Sequence, residues 1–347
     1  MDDKIKFGYN DVSIVPAKIS NIKHRSEVNP YYDNNKLPIF TAPMSSIVTL
    51  DNIDKYSKIN VVIPRSFPLK NRIEWFLPLE YFTSFSISET EDLIRNKPAY
   101  KNPINICIDV ANGHMKNLYD LVRAFKYFYP NSKIMTGNIA NPETLKMAIE
   151  SGVDYIRIGI GSGSGCITSS NTAVHYPMAS LIKDCFKYLS DYKWVIEKTN
   201  LKIIADGGIR NYSDVIKALA LGADYVMIGG LFAECMDSNK DLYIQSNGDY
   251  VKANDEDLQK ENIQLYHKFY GMASKEGMND LHLRKHTAEG ICKYIPIKYD
   301  SIDQWSENMA DYLRSAMSYC NIKTLNRFIN GPKCILLSNN AQNAINE

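Results

Sequence analysis

Tyr155-Ile-Arg-Ile158-Gly-Ile-Gly-Ser-Gly-Ser-Gly-Cys166-Ile-Thr168 is the stretch on which the reading of this chain turns. It predicts a short strand, Tyr155 to Ile158, that opens into a loop with four glycines. The loop delivers a thiol at Cys166 and a hydroxyl two residues later at Thr168. Glycine lets a backbone close around a ligand, and the thiol places a nucleophile at the same spot. Working outward, Ala205-Asp-Gly-Gly208 follows a second apolar run and Met227-Ile-Gly-Gly230 a third. Strand ends that open into glycine in this way point to one phosphate-bearing substrate gripped by several loops.

The pattern extends along most of the chain. Apolar runs predict strands over Pro38 to Thr41, Asn60 to Ile63, Tyr81 to Phe85, Asn105 to Asp109, Lys133 to Thr136, Tyr155 to Ile158, Lys202 to Ala205 and Tyr225 to Ile228. The segments between them carry apolar residues at helical spacing, as at Val215, Ile216, Leu219 and Ala220. Asn141, followed by Pro142, and Asn211 stand where helix N-caps belong. Strand and helix alternating eight times argue for an α/β fold, a (β/α)8 TIM barrel. A doubly wound sheet is the alternative. The barrel is preferred because chemistry-bearing residues follow many different strands. Residues 1–330 are assigned to one barrel domain and 331–347 to a loose C-terminal tail.

Composition narrows the function. The 347 residues are 45% hydrophobic and 23% charged, ordinary for a globular protein. Forty Lys and Arg balance 39 Asp and Glu, for a formal net charge of +1. That gives no electrostatic footprint for nucleic acid. No apolar run reaches membrane-spanning length, and no secretory leader pattern is present. Seven cysteines without a Cys-x-x-Cys pair read as reduced thiols in a cytoplasmic protein.

The rhythm breaks after residue 230. Ser246-Asn-Gly-Asp249 predicts a hairpin turn. A long insertion then precedes the closing helix, and its segment from about 268 to 295 is expected to be a mobile flap over the barrel mouth. His282 and His286 are four residues apart there, but no third metal ligand accompanies them.

Together these motifs resemble the IMP dehydrogenase / GMP reductase family. The resemblance runs from Tyr9-Asn-Asp-Val to about Phe328. It includes Leu37-Pro-Ile-Phe-Thr-Ala-Pro-Met44, Ile106-Cys-Ile-Asp-Val-Ala-Asn-Gly113, Thr136-Gly-Asn138, the Cys166 loop, both Gly-Gly pairs and Phe269-Tyr-Gly-Met272. Within the family, Asp109-Val-Ala-Asn-Gly113 and Leu313-Arg-Ser-Ala-Met-Ser-Tyr319 look like the reductase versions. The flap has no Arg-Tyr pair, the device that activates water in dehydrogenases. Other details depart from the reductase pattern. The Cys166 loop is closer to the dehydrogenase form, Ser169 and Ser170 stand where reductases carry an Arg, and Val174-His-Tyr-Pro-Met178 replaces a Gly-Tyr-Pro-Gln.

The resemblance implies an NADPH-dependent oxidoreductase that converts GMP to IMP and ammonia. Cys166 is the expected nucleophile at purine carbon 2, with Thr168 and Glu289 handling protons. A buried cysteine also reads as a small apolar residue, and Glu289 either as an acceptor for the purine N–H edge, a role compatible with the first, or as a solvated flap carboxylate. The phosphate is expected among Ser164, Gly207, Gly208, Gly229, Gly230 and Tyr270, the ribose at Asp206, and the base at Gly271 and Met272. Asp109, Ala111, Asn112 and Gly113 would flank the nicotinamide. Arg65 and Lys70 would meet a 2′-phosphate, or at least one of them is only a surface cation. Potassium would sit on backbone carbonyls of Gly161, Gly163 and Cys166. A homotetramer is also implied. The rival readings are an IMP dehydrogenase without its regulatory domain, a reductase of a deoxy or modified purine nucleotide, and a non-catalytic nucleotide sensor.

Overall fold

The computed structural model describes residues 5–76, 81–96, 103–191, 200–260, 262–283 and 287–346. After a first strand, β1 (Val12–Val15), come eight parallel strands: β2 (Ile39–Thr41), β3 (Val62–Ile63), β4 (Phe82–Phe85), β5 (Asn105–Asp109), β6 (Lys133–Ile139), β7 (Tyr155–Ile158), β8 (Lys202–Asp206) and β9 (Tyr225–Ile228). They match the runs expected from sequence. Their order is β2-β9-β8-β7-β6-β5-β4-β3. A parallel bridge between Phe40 and Asn60 closes the two ends. There Asn60 N donates to Ile39 O and Thr41 N to Asn60 O, both at 2.9 Å. The fold is a (β/α)8 barrel. β3 is short because Pro64 follows it and has no N–H for the ladder.

An aromatic layer fills the barrel. Phe40 packs on Phe82 at 5.7 Å between ring centroids and on Tyr225 at 4.9 Å, while Phe82 meets Tyr155 at 5.1 Å. Phe82, Tyr155 and Tyr225 begin their strands, so this plug occupies the amino end and leaves the carboxyl end for a site. The expected caps are in place. Asn141 Oδ1 accepts from Glu143 N and Asn211 Oδ1 from Asp214 N, each at 3.0 Å.

The insertion forms a four-stranded antiparallel sheet. It comprises β10 (Leu242–Ser246), β11 (Asp249–Lys252), β12 (Tyr266–Tyr270) and β13 (Cys292–Pro296), in the order β11-β10-β12-β13. Asn247 and Gly248 both have positive φ, which makes the predicted hairpin turn. The flap differs from its expected bounds. Lys268 pairs with Tyr294 and Tyr270 with Cys292, so both its ends are clamped in the sheet. The connecting segment begins at Gly271.

The tail also corrects its expectation. Residues Lys333–Leu336 form β14, paired antiparallel with β1, and a helix over Asn339–Asn346 follows. Gln342 Nε2 donates to Asp11 Oδ1 at 2.8 Å. β1 stands outside the barrel, and its backbone polar groups need a partner that the tail supplies.

Candidate functional site

One cleft at the carboxyl end of the barrel collects residues that lie far apart in sequence. Met44 follows β2, Asp109 ends β5, Cys166 lies in the loop after β7, and Asp206 to Gly208 and Gly229-Gly230 close β8 and β9. Ser164, Gly163, Gly271, Met272 and Glu289 complete the wall.

The Cys166 loop is stitched to the flap. Cys166 and Gly290 form an antiparallel bridge, Ile167 N donates to Glu289 O at 3.0 Å, and Ile291 N donates to Gly165 O at 2.9 Å. The approach is close enough to require glycine. A Cβ on Gly290 would stand 2.8 Å from Ser274 N and 3.0 Å from Gly165 O. This stitching carries Glu289 to the thiol. Cys166 Sγ donates to Thr168 Oγ1 at 3.2 Å, and Thr168 Oγ1 donates to Glu289 Oε2 at 3.2 Å. A thiol, a hydroxyl and a carboxylate thus form one chain along which a proton can travel. Burial pushes the Cys107 thiol up to about 12 and also raises that of Cys185, which marks both as inert core residues.

On the floor lies a buried cation that sequence reading missed. The Arg157 side chain is 8% exposed. Its Nε and Nη2 donate to Asp206 Oδ2 at 3.0 and 2.9 Å, and its Nη1 donates to Asp109 Oδ1 at 2.5 Å. Asn138 Nδ2 adds a further bond to Asp206 Oδ2 at 2.8 Å. Burial disfavours the charge on Arg157, but Asp206 and Asp109 outweigh it and raise its pKa well above the ordinary value. The signal was available: a lone Arg in an apolar strand covered on both faces must find acids.

Other residues divide. Gly207 has φ +98°, and a Cβ there would stand 2.9 Å from Gly163 N, so the two loops meet only through glycine. Tyr270 does not line the cleft. Its hydroxyl donates to Asp280 Oδ2 at 2.8 Å and lies 3.4 Å from Ser45 Oγ, and burial together with Asp280 pushes its pKa up to about 12. Of the segment Asp109 to Gly113, only Asp109, the last residue of β5, lines the cleft. Ala111 and Asn112 are exposed, and Asn112 Oδ1 accepts from His114 N. Gly113 is buried and donates to Asn138 O at 2.8 Å. Arg65 Nε lies 3.5 Å from Glu89 Oε2, a carboxylate also bound by Arg72 at 2.5 Å. Lys70 is exposed in the short helix Leu69–Asn71.

The carbonyls expected to hold potassium are already partly engaged. Gly161 O accepts from Ser169 Oγ at 2.9 Å and Gly163 O from Cys166 N at 3.0 Å. Each oxygen keeps a second lone pair, so the donor type fits a hard monovalent cation. Among the described residues no group of three or more His, Cys, Asp or Glu side chains is placed to hold a metal. His282 sits at φ +53°, just past the helix Lys275–Asp280, and His286 lies outside the described residues. No helix among the described residues is long and apolar enough to cross a membrane.

Comparison with known proteins points to one family. A family model described as the IMP dehydrogenase / GMP reductase domain matches residues 90–346. The chain is similar to GMP reductase 2 of Bos taurus, 29% identical over 346 residues that cover 92% of this chain and 90% of that protein. It is similar to the GMP reductase of Shewanella halifaxensis, 28% identical over 356 residues, covering 94% and 93%. The GMP reductase of Caenorhabditis elegans is 34% identical over 223 residues, covering 63% and 56%.

Proposed function

This chain belongs to the IMP dehydrogenase / GMP reductase family, and from that membership we propose that it is a GMP reductase, converting GMP, NADPH and a proton to IMP, ammonia and NADP+. The observation that carries the proposal is the hydrogen-bonded chain Cys166–Thr168–Glu289. The thiol gives its proton through Thr168 to Glu289, and the thiolate adds to purine carbon 2. The proton then returns through Thr168 to the amine on that carbon. The carbon–nitrogen bond breaks, ammonia leaves, and carbon 2 stays bonded to sulfur. The hydride that replaces the amine on carbon 2 would come from NADPH, which the Asp109 side of the cleft would hold. The carbon–sulfur bond then breaks, IMP is released, and the Cys166 thiolate takes up a proton from solvent to restore the thiol.

The remaining residues orient the nucleotide. Backbone N–H groups at Gly208, Gly229 and Gly230 and the Ser164 hydroxyl hold the 5′-phosphate. Asp206 has its Oδ2 fixed by Arg157 and Asn138, which leaves Oδ1 for the ribose hydroxyls. Met272 and Gly271 pack on the base. Asp109, with Ala111 and Asn112 on the exposed rim, fits the nicotinamide side. Arg65 is turned to Glu89, so its part in choosing NADPH over NADH requires it to leave that pair. Potassium on the Gly161, Gly163 and Cys166 carbonyls would stiffen the nucleophile loop. The family reading extends to a cytoplasmic homotetramer.

The test is absorbance at the NADPH band with purified protein, potassium and GMP, beside a cuvette with IMP and NAD. Loss with GMP that vanishes in Cys166→Ala is the expected result. A gain with IMP and NAD makes the chain a dehydrogenase, the direction that the Gly161 to Thr168 sequence favours. Silence in both cuvettes turns the reading to a deoxy or modified purine, or to a sensor.

A further inference from the structure

Met272 and Met44 both line the cleft, one from the start of the flap and one from the loop after β2. Asp280, the last residue of the helix Lys275–Asp280, ties these two segments together. It does not reach the cleft; it lines a separate polar pocket with Tyr243 and Lys268 of the flap sheet. Its Oδ2 accepts from Ser45 Oγ and, at 2.8 Å, from Tyr270 Oη. Hydroxyls on a carboxylate make charge-assisted bonds, the strong kind. Ser45 directly follows Met44, and its Oγ lies 3.8 Å from Met272 Sδ. The buried Ser46 donates to Tyr270 O at 3.2 Å. The helix also lies hard against the segment that carries Met272. A Cβ on Gly277 would stand 2.5 Å from Met272 Cα and 2.6 Å from Gly271 O, so the approach requires glycine. Ser274 caps this helix by accepting from Gly277 N at 3.1 Å.

We propose that Asp280, Ser45 and Tyr270 are positioning residues that set where Met272 meets the purine base. The base rests on the nucleotide reading above; the latch rests on these contacts. The reason is stiffness. Methionine is unbranched and adapts to whatever it touches, so it gives the base a defined wall only if its backbone is held. A helix of six residues does not hold itself. Asp280 docks its end on the loop after β2, and Gly277 docks its middle on Gly271-Met272. The Cys166–Thr168–Glu289 relay depends on other contacts, the backbone bonds at Glu289 and Ile291 at the far end of the flap. Loss of the latch should therefore weaken the grip on the base and leave the relay in place.

Calorimetry on the full chain tests this, with GMP and IMP as titrants and thermal melts to confirm that each variant folds. Asp280→Ala, Met272→Ala and the double variant are run beside wild type. The expected result is a loss of about tenfold in nucleotide affinity for Asp280→Ala. On the Met272→Ala background the same change should cost about twofold at most, because a latch that acts through Met272 has nothing left to position. Asp280→Asn, whose amide oxygen can accept from both hydroxyls, should recover most of the loss. A merely structural residue would behave differently: its loss would add in full to that of Met272→Ala, and that result overturns the proposal. Affinity within about twofold of wild type in Asp280→Ala also overturns it. If Asp280→Ala does not fold, Ser45→Ala carries the test, since it removes one hydroxyl and leaves the carboxylate to Tyr270. A loss of about threefold that disappears on the Met272→Ala background sustains the proposal, and unchanged affinity overturns it. Wild type that binds neither GMP nor IMP overturns the nucleotide reading and this proposal with it. Tight binding that the variants leave untouched overturns the proposal alone.

Discussion

The two sides of the cleft are built on different plans. On the Cys166 side, the loops after β7, β8 and β9 and the flap segment converge until backbone touches backbone, as at Gly165 with Gly290 and Gly207 with Gly163. On the Asp109 side, one carboxylate reaches the wall, while Ala111 and Asn112 face solvent and Arg65 is tied to Glu89. A ligand held by backbone N–H groups needs only the right loop in the right place. A ligand held by side chains also needs each one aimed. The first plan concentrates function in few residues, and the second spreads it.

The comparison can be broken first at the thiol. Cys166→Ser should lower GMP turnover by about a thousandfold or more, because the alkoxide is far harder to form than the thiolate. NADPH absorbance is the readout, and a rate within about tenfold of wild type would remove Cys166 from the chemistry. Next comes the relay. If Glu289 is the proton relay proposed above, Glu289→Gln should cost about 100- to 10,000-fold in kcat and leave the KM for GMP within about threefold. A shift confined to KM would make Glu289 a binding residue only.

Arg157 belongs to both sides at once, and its replacement sharpens the contrast. Arg157→Met leaves Asp109 and Asp206 without their buried cation and should destabilise the fold by about 3–5 kcal/mol, read from urea unfolding. Arg157→Lys keeps the charge but not the fork, so it should recover part of that loss. If Arg157→Met unfolds like wild type, the two carboxylates find other partners and the floor of the cleft is not shared.

Sequence exposed the backbone-built side more fully than the other. The eight strands were legible because a parallel strand covered on both faces must be apolar, and the glycines after Ile158, Asp206 and Ile228 marked where the chain turns close. Thr168 and Glu289 are expected at the thiol by resemblance; Thr168 is two residues along the chain, and the bridge between Cys166 and Gly290 is what brings Glu289 there. Tyr270 escaped because its aim depends on Asp280 and Ser45, which meet it only after folding. Arg157 escaped because its acids lie on β5 and β8, far away in sequence. The tail strand escaped because its partner β1 lies at the opposite end of the chain.

Arg65 gives the smallest expected effect and the finest test of the difference between the sides. Its side chain is 22% exposed, with Nε 3.5 Å from Glu89, whose side chain is 23% exposed and already bound by the buried Arg72. Glu89 can therefore release Arg65 without losing its only cation, and a partly exposed pair of this kind is worth about 0–1 kcal/mol. A 2′-phosphate carries nearly two charges and competes well for such an arginine. The pair as it stands nevertheless aims Arg65 at Glu89. Arg65→Gln should therefore change the preference for NADPH over NADH by about threefold at most, measured as the ratio of kcat/KM values. A collapse of about tenfold or more would mean that Arg65 swings out to the phosphate when cofactor binds. The Asp109 side would then be assembled by its ligand, where the Cys166 side is assembled by its own backbone.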